Sequence, residues 1–416
     1  MRHSCIHTSH LRRTCSRFLP VLCRVTAPKG VPLALLLGCL SITRAAAPDF
    51  ERQPIDEEIK VGYGIAIGHV DDDERPDILI ADKTEIAWYQ NPGSRNQPWP
   101  RHVMARNLTP RDNVCIAARD LDGDGLVEVA VGANWNPGET TDPEKSGALF
   151  YLKRPTDPTA AWTPVTIVPH DPTVHRMHWV KTASDRYALV VLPLHGRGNR
   201  NGEGDPVRVQ AYLINPADGS SREPITVDES MHMTHNFEIV NTGEASESLL
   251  LAGREGLRYL TRTGTPLSVS QPVSRGAGEV RFIDVDPNRH EATAIEPMHG
   301  SDVVLYQQQD DGSFRRILVD TGLNQGHALI ADDFLGLGRD QIVAGWRNPD
   351  SDGKVGVRFY VPNEAGDRWE KHVLDDNQMA CEDLRAADLD GDGKPDIIAA
   401  GRATENLVVY WNDTDR

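Results

Sequence analysis

A short acidic motif occurs three times along this 416-residue chain, and a run of apolar residues follows it each time. At residues 120–131 and 388–400, aspartates alternate with leucine and glycine before the apolar run begins. A degenerate copy lies at residues 69–80. Acidic turns that lead directly into β-forming residues are typical of one supersecondary unit repeated along a chain. The motif therefore predicts a repeat architecture built from strands.

Tyrosine-containing strands give the number of repeats. Apolar residues come in short bursts separated by Gly, Pro, Asn and Asp, with no long helical period. One aromatic strand per repeat carries a tyrosine, at intervals of 47 to 62 residues: Tyr89, Tyr151, Tyr212, Tyr259, Tyr306, Tyr360 and Tyr410. Since most repeats hold four strands, the sequence predicts an all-β fold, a seven-bladed β-propeller with four-stranded blades.

The two ends of the chain complement each other. The seventh repeat stops after its tyrosine strand, and residues 50–56 resemble the closing strand at residues 369–375. We expect this N-terminal strand to complete the last blade, because closure removes exposed sheet edges. Residues 48–416 are then one propeller domain.

Residues 1–47 have the features of an export signal. A basic stretch precedes an apolar core at residues 31–40 and a run of small residues at 45–47, the order found in secreted proteins. The core is too short to span a bilayer. Residues 36–39 also resemble a bacterial lipobox, which would place a lipid anchor on Cys39. We expect an exported protein, either free in the periplasm or outside the cell, or anchored as a lipoprotein.

The chain is strongly acidic. Its net charge is −17, and residues 1–47 hold seven Lys or Arg and no acid, so the remainder carries −17 − 7 = −24. This charge disfavours nucleic acid and anionic membranes as partners and favours metal ions. Outside the leader only Cys115 and Cys381 remain, too few for a disulfide framework.

The two intact acidic turns have the composition of calcium-binding loops. Carboxylates at alternate positions and a permissive glycine supply what Ca²⁺ needs. The predicted ligands are Asp120, Asp122, Asp124 and Glu128 in one turn and Asp388, Asp390, Asp392 and Asp396 in the other. The alternative is a tight turn held by hydrogen bonds from backbone to aspartate. The turns resemble the FG-GAP/VCBS repeats of integrin-like propellers, and either role is structural.

A second set of polar residues is predicted at the opposite ends of the strands, where the first strands line the central channel. Aligned on the turn, the first strands present Gly64, Cys115, His175, His235, Glu279, His327 and Asp383, with His178, His232 and Glu382 close to the same level. The second strands end near His195, Arg254, His299, Arg347 and Arg402.

Imidazoles on neighbouring blades indicate a transition-metal site. Neutral imidazoles with a carboxylate suit Zn²⁺ or another divalent transition metal that keeps an open position for substrate. The predicted ligands are His175, His235 and His327, with Glu279 as a fourth ligand or a base.

Around these histidines the sequence resembles the β-propeller domain of fungal aldos-2-ulose dehydratase, in segments 174–179, 193–198, 233–236, 296–300 and 326–328. The resemblance extends over residues 50–416 and lacks the cupin domains of that family. It implies a metal-dependent lyase that eliminates water from a keto-sugar, such as 1,5-anhydrofructose, at the propeller mouth.

Such an elimination needs a Lewis acid at the carbonyl, a base for the α-proton and an acid for the leaving hydroxyl. We assign proton transfer to His195 or His299, with Glu279 and His178 as further catalytic candidates. Arg254, Arg347 and Arg402 would hold sugar hydroxyls or the enolate oxygen. The Gly-rich residues 196–204 predict a long loop over the mouth.

Two other functions fit the same sequence. One is a non-catalytic, calcium-stabilised propeller that binds a protein or a glycan. The other is a lyase or hydrolase acting on a larger keto-glycoside.

Overall fold

The structure, a computed structural model, describes residues 47–415 except 96, 184–185, 242–244, 262–266, 271–272 and 286–290. The predicted leader and the lipid anchor at Cys39 lie outside the described residues. Within these ranges the regular elements are 28 β-strands in seven antiparallel four-stranded sheets. The prediction of a seven-bladed β-propeller is confirmed.

Six blades are built from four consecutive strands each. The first strand of each blade contacts the first strands of the neighbouring blades around the channel. The first three of these blades are β2–β5 (Gly64–Gly68, Asp77–Ala81, Glu85–Tyr89, Arg101–Arg106), β6–β9 (Cys115–Arg119, Glu128–Ala133, Ala148–Lys153, Thr163–Ile167) and β10–β13 (Val174–Ala183, Arg186–Pro193, Val209–Tyr212, Ile225–Asp228). The next three are β14–β17 (Thr234–Val240, Ser248–Gly253, Gly256–Leu260, Leu267–Ser270), β18–β21 (Val280–Phe282, Glu291–Glu296, Asp302–Gln308, Phe314–Asp320) and β22–β25 (Gly326–Asp332, Gln341–Trp346, Gly356–Pro362, Trp369–Asp376).

The seventh blade joins the two ends of the chain. It consists of β26 (Cys381–Ala387), β27 (Asp396–Gly401), β28 (Asn406–Asn412) and β1 (Phe50–Asp56), which pairs antiparallel with β28. The Phe50 ring lies 5.5 Å from the Phe359 ring of the preceding blade. The predicted closure by the N-terminal strand is therefore confirmed.

The hydrophobic core is divided among the contacts between blades. Seven clusters of buried residues lie between successive blades. In β3, Ile78 and Ile80 face the seventh blade while Leu79 and Ala81 face the second, because side chains alternate across a strand. A strand buried on both faces is apolar throughout, which explains the continuous apolar runs after the acidic turns.

The repeated tyrosines have a packing role. Each buried ring adds apolar area, while its hydroxyl reaches a polar partner. Tyr89 donates to Asp56 at 2.6 Å, and Tyr410 donates to Asp375 at 2.8 Å. Among the described residues there is no helix with the length and hydropathy of a transmembrane segment.

Candidate metal centre at the channel mouth

The inner strands of four blades begin with a β-bulge that places polar residues at the channel mouth. In β10, Val174 pairs with Pro193 and Arg176 pairs with Leu192, so the residue between them has no partner. A bulge frees the extra residue from the ladder and changes the direction of its side chain. The extra residues are His175 in β10, His235 and Asn236 in β14, His327 in β22 and Glu382 in β26.

The seventh blade differs by one residue from the alignment on the acidic turn. That alignment sets Asp383 level with His327, whereas Glu382 occupies the equivalent bulge. Asp383 lies one residue deeper, where its carboxylate accepts a hydrogen bond from the backbone N–H of Ile65 at 2.7 Å and another from Arg385 Nη1 at 2.7 Å. Glu382, not Asp383, therefore faces the mouth at the level of the histidines.

His235, His299 and His327 form a compact group that we call the histidine cluster. One ring nitrogen from each lies within 4.8 Å of the other two. Nε2 of His235 is 2.7 Å from Nε2 of His299, and the His327 ring lies 5.1 Å from the His299 ring. Three convergent imidazoles are the donor set of many zinc sites.

A tight turn after β19 brings His299 into this cluster. The backbone φ of His299 is 54°, a left-handed value that non-glycine residues rarely adopt. At Gly300 a Cβ atom would lie 2.2 Å from the carbonyl oxygen of Glu296, so only glycine fits there. Residues held in this way often belong to functional sites.

Hydrogen-bond acceptors fix the orientation of the neighbouring rings. Nδ1 of His175 donates to the carbonyl of His235 at 2.7 Å, and Nδ1 of His327 donates to the carbonyl of Glu382 at 2.8 Å. Nδ1 of His235 lies 2.9 Å from Oε1 of Glu279, within ion-pair distance. In His175 and His327 the proton therefore lies on Nδ1, because a carbonyl oxygen can only accept, and Nε2 of these two rings is an acceptor.

Glu279 is the carboxylate of the site. Burial would raise its pKa, but His235 and the guanidinium groups of Arg176 and Arg281 outweigh this and lower the pKa to about 2. Its Oε2 also accepts a short hydrogen bond from the Asn236 amide. A carboxylate behind an imidazole is a common arrangement around protein-bound metals, where it orients the ring and increases its basicity.

The imidazoles of the site are neutral. Burial lowers the pKa of His235, and burial with the nearby His235 and Arg347 lowers the pKa of His299 to about 3. The pKa values of His175 and His327 lie well below the usual value, chiefly because both rings are buried. The charge of Arg176 lowers the pKa of His175 further, and the charge of Arg347 lowers that of His327. Neutral imidazole is the form that binds metal.

His175, a predicted ligand, lies next to the histidine cluster. Its ring is 4.6 Å from the His235 ring and 5.0 Å from the Trp135 ring. Its Nε2 lies 3.2 Å from Nη1 of Arg176, which donates to it. The lone pair that a metal would use is therefore engaged with a guanidinium.

The predicted arginines occupy different places. Nη1 of Arg347 and Nη1 of Arg402 each lie 3.0 Å from the Glu382 carboxylate, and the Arg402 guanidinium lies over the Tyr63 ring. Arg254 instead donates to the carbonyl of Asn201, in the Gly-rich loop. The first two arginines belong to the mouth, and Arg254 holds the loop.

The remaining histidine candidates lie outside the histidine cluster. His195 follows β11 and is half-buried, and burial lowers its pKa. His178 packs against Phe237 and lines a channel cavity of about 160 Å³ together with Arg385. His232 contacts Glu255 at 3.1 Å. His195 therefore lies, like His299, at the end of a second strand, as the sequence predicted for the two proton-transfer candidates.

The acidic turns gather carboxylates at the opposite face of the blades. In each turn three of the four predicted calcium ligands have oxygens within 4.8 Å of one another: Asp120, Asp122 and Glu128, and Asp388, Asp390 and Asp396. Asp124 instead accepts a hydrogen bond from the backbone N–H of Leu126 at 2.8 Å. Asp120 accepts two more from Gly123 and Gly125, so the turn has the features of both predicted roles.

Arg176 was not among the residues predicted at the mouth, and Glu382 was placed near the level of the histidines without a role. Spacing from the turn does not reveal a bulge, and a bulge exposes two successive residues to the channel. A basic residue directly after His175 was the only sequence signal for Arg176.

Comparison with known proteins supports the fold and the turns. Residues 69–131, which span the first two acidic turns, match the FG-GAP-like repeat family. No curated protein matches the chain significantly.

Solved structures share the fold at low sequence identity. BBS1N, solved in complex with ARL6DN, is 13% identical over 89% of this chain and 98% of its own, with a TM-score of 0.53. A streptogramin B lyase is 12% identical over 88% of this chain and 98% of its own, also with a TM-score of 0.53. The exotype rhamnogalacturonan lyase YesX is 12% identical over 88% of this chain and 75% of its own, with a TM-score of 0.50. At such identities the comparison concerns architecture, which hosts unrelated functions.

Proposed function

We propose that this protein is an exported, metal-dependent carbon–oxygen lyase that eliminates water from a keto-sugar at the propeller mouth. The observation that carries the proposal is the histidine cluster, in which neutral rings converge and the His235 ring is backed by Glu279. Burying several imidazoles at one place is costly unless each polar nitrogen has a partner, and a metal ion supplies such a partner.

The donor set fits a transition metal. His235, His299 and His327 would hold Zn²⁺ or another divalent ion, and their neutral state requires no proton to be displaced at neutral pH. When bound, the metal supplies a Lewis acid for the carbonyl of the substrate. Ca²⁺ would occupy the acidic turns, where the donors are oxygens.

The chain's own residues divide the other tasks. If His299 uses Nε2 as a ligand, that nitrogen cannot carry a proton, so proton transfer falls to His195. Arg402 is 42% exposed and keeps N–H groups beyond those that contact Glu382, so it can bind sugar hydroxyls. Trp135 and Tyr63 form apolar walls at the same mouth, where sugar rings commonly pack.

The test is a turnover assay. Zn²⁺-loaded protein is incubated with 1,5-anhydrofructose, and formation of the conjugated enone is followed by its ultraviolet absorbance. We expect His235→Ala to lose at least about 100-fold in rate, the size of effect seen when a key electrostatic group is removed. His372→Ala, on the outer strand β25, is the matched control. Equal rates for His235→Ala and wild type, or no turnover of keto-sugars by metal-loaded protein, would contradict the proposal.

Two names among the structural neighbours bear on the reaction class. The streptogramin B lyase and YesX are both lyases on this architecture. YesX is named for a polysaccharide, so a larger keto-glycoside is the alternative substrate of the same proposed site. Comparing rates on the monosaccharide and on its glycosides separates the two.

A non-catalytic binding protein is the second candidate. The FG-GAP-like repeat at residues 69–131 and the likeness to BBS1N, which was solved in complex with ARL6DN, favour it. In that case Ca²⁺ in the acidic turns would stabilise the propeller, and the mouth would hold no transition metal. His235→Ala would then change neither the transition-metal content nor any reaction.

A further inference from the structure

Arg176 is a cation at the mouth without a carboxylate partner. It follows the bulged His175 on β10, and its Nη1 donates to the His175 carbonyl at 3.0 Å and to the His175 ring at 3.2 Å. Within the described ranges of the chain, no carboxylate oxygen lies within 4.0 Å of its guanidinium nitrogens. It is only half-buried, so its remaining N–H groups are open to a ligand in the channel.

Three other arginines near the mouth contact a carboxylate directly. Arg347 and Arg402 share the carboxylate of Glu382, and Arg385 contacts Asp383 at 2.7 Å. Arg176 and Arg281 both lie close enough to Glu279 for their charges to lower the pKa of that carboxyl. Arg176 therefore differs from Arg347, Arg402 and Arg385 in making no direct contact with a carboxylate.

Arg176 also lies at the centre of the site. Its charge contributes to the lowered pKa of His175, His235, His299 and His327. The rings are neutral, and Arg176, Arg347 and Arg402 outnumber the carboxylates of Glu279 and Glu382, so the mouth carries excess positive charge within a chain of net charge −17. A partly buried charge without a partner is costly, and an anionic ligand removes that cost.

We propose that Arg176 binds a carboxylate of the ligand, and that the mouth takes an acidic sugar such as a uronate in preference to a neutral one. The planar guanidinium edge offers parallel N–H groups that match the two oxygens of a carboxylate. The hydrogen bond to the His175 ring makes His175 a positioning residue for this guanidinium. This proposal rests on the proposed function, because it names the substrate class of the same site.

Binding of small probes tests the proposal. Zn²⁺-loaded protein is titrated calorimetrically with D-galacturonate, D-galactose and inorganic phosphate at fixed ionic strength. We expect D-galacturonate to bind at least about tenfold more tightly than either of the other two. Arg176→Gln should weaken galacturonate binding by about tenfold or more, the loss expected for a charge-assisted hydrogen bond.

Two further variants guard against misfolding. Arg176→Lys keeps the charge but not the paired N–H groups, so it should bind galacturonate with an intermediate affinity. Arg106→Gln, on the outer strand β5, should bind like wild type. Thermal unfolding and zinc content are measured for every variant, and we expect both to stay at the wild-type level in Arg176→Gln.

Each contrary outcome has a distinct meaning. Equal affinity for galactose and galacturonate, or galacturonate binding unchanged in Arg176→Gln, overturns the acidic-sugar proposal. Phosphate binding as tight as galacturonate would show a site for an inorganic oxyanion, which also overturns it. Turnover of neutral keto-sugars by wild type with no preference for acids would defeat this inference and leave the proposed lyase function standing.

Discussion

At the scale of single residues, the chemistry depends on which nitrogen each imidazole leaves free. His175 and His327 donate through Nδ1 to backbone carbonyls, and His235 directs Nδ1 toward Glu279. Nε2 of His175 accepts a hydrogen bond from Arg176, whereas Nε2 of His235 and Nε2 of His299 lie 2.7 Å apart and share one proton in a hydrogen bond. A cation can replace that shared proton and bind both nitrogens, so we expect the metal at the histidine cluster.

Glu279→Gln tests the orienting carboxylate. The amide retains an oxygen for His235 but loses the negative charge, so the affinity for Zn²⁺ should fall by roughly 10–100-fold. Competition with a chromophoric chelator measures this affinity. Glu85→Gln, an ion-paired carboxylate at the outer strands, should leave it unchanged. Equal affinity in wild type and Glu279→Gln would remove Glu279 from the site.

Asp77, at the start of β3, should make stability fall as the pH rises. It is fully buried, and burial raises its pKa from 3.8 to about 7, although it accepts hydrogen bonds from the backbone N–H groups of Val70 and Asn91. The folded state therefore holds a proton that the unfolded chain releases above about pH 4. The stabilising contribution is complete below that pH and is lost as the pH rises through 7.

Urea unfolding of wild type and Asp77→Asn from pH 4 to pH 8 measures this effect. The free energy of unfolding of Asp77→Asn, relative to wild type, should increase up to about pH 7 and then level off. Asp72→Asn, an exposed acid in the same turn, should show no such trend. Parallel pH profiles for Asp77→Asn and wild type would contradict the assignment.

Individual site residues were predictable only where strand spacing determines their position. His235 and His327 lie on inner strands at equivalent bulges, so alignment on the turn found both. His299 depends on a left-handed turn after β19, and strand spacing does not encode that conformation. The sequence therefore placed His299 at the mouth as a proton-transfer candidate but did not place it beside His235.

At the scale of strands and turns, bulges limit what spacing can predict. One extra residue in β26 shifts Asp383 inward and puts Glu382 at the mouth. The same distortion in β10 brings Arg176 to the channel directly after His175. Strand identity follows from local hydrophobicity, whereas a bulge depends on the fit between neighbouring inner strands, which a single sequence does not show.

The closing strand gives a stability prediction. Phe50 on β1 packs against Phe334 and Phe359 of the sixth blade, while Glu51 beside it is exposed. Phe50→Ala should lower the free energy of unfolding by about 2 kcal/mol, less than for a fully buried ring. Glu51→Ala should stay within about 0.5 kcal/mol of wild type. Chemical denaturation measures both free energies of unfolding. Equal stability of the two variants would contradict the closure of the ring by β1.

The acidic turns give a calcium prediction. If Ca²⁺ occupies them, Tm should rise with Ca²⁺ concentration, because a ligand that binds only the folded state stabilises it. The double variant Asp120→Asn/Asp388→Asn should lose this rise, and Asp72→Asn should keep it. A Tm that does not respond to Ca²⁺ or chelator would favour turns held by hydrogen bonds alone.

At the scale of the whole molecule, the fold was predictable because it repeats. A tyrosine strand and an acidic turn recur in most blades, and each contact between blades has its own hydrophobic cluster. Repetition thus supplies several independent observations of one unit. The mouth occurs only once in the ring, where the blades differ most in sequence, so the sequence offers no repeated signal for its geometry.

The histidine cluster as a transition-metal site is the central claim, and elemental analysis of the purified protein tests it most directly. Wild type is compared with His235→Ala, His299→Ala, His327→Ala and His175→Ala after dialysis against Zn²⁺ and Ca²⁺. We expect the wild-type chain to hold one more Zn²⁺ ion than His235→Ala, His299→Ala or His327→Ala. The calcium content should be equal in all five proteins. His175→Ala should retain the zinc. Equal zinc in wild type and His235→Ala would contradict the metal centre, and with it the lyase.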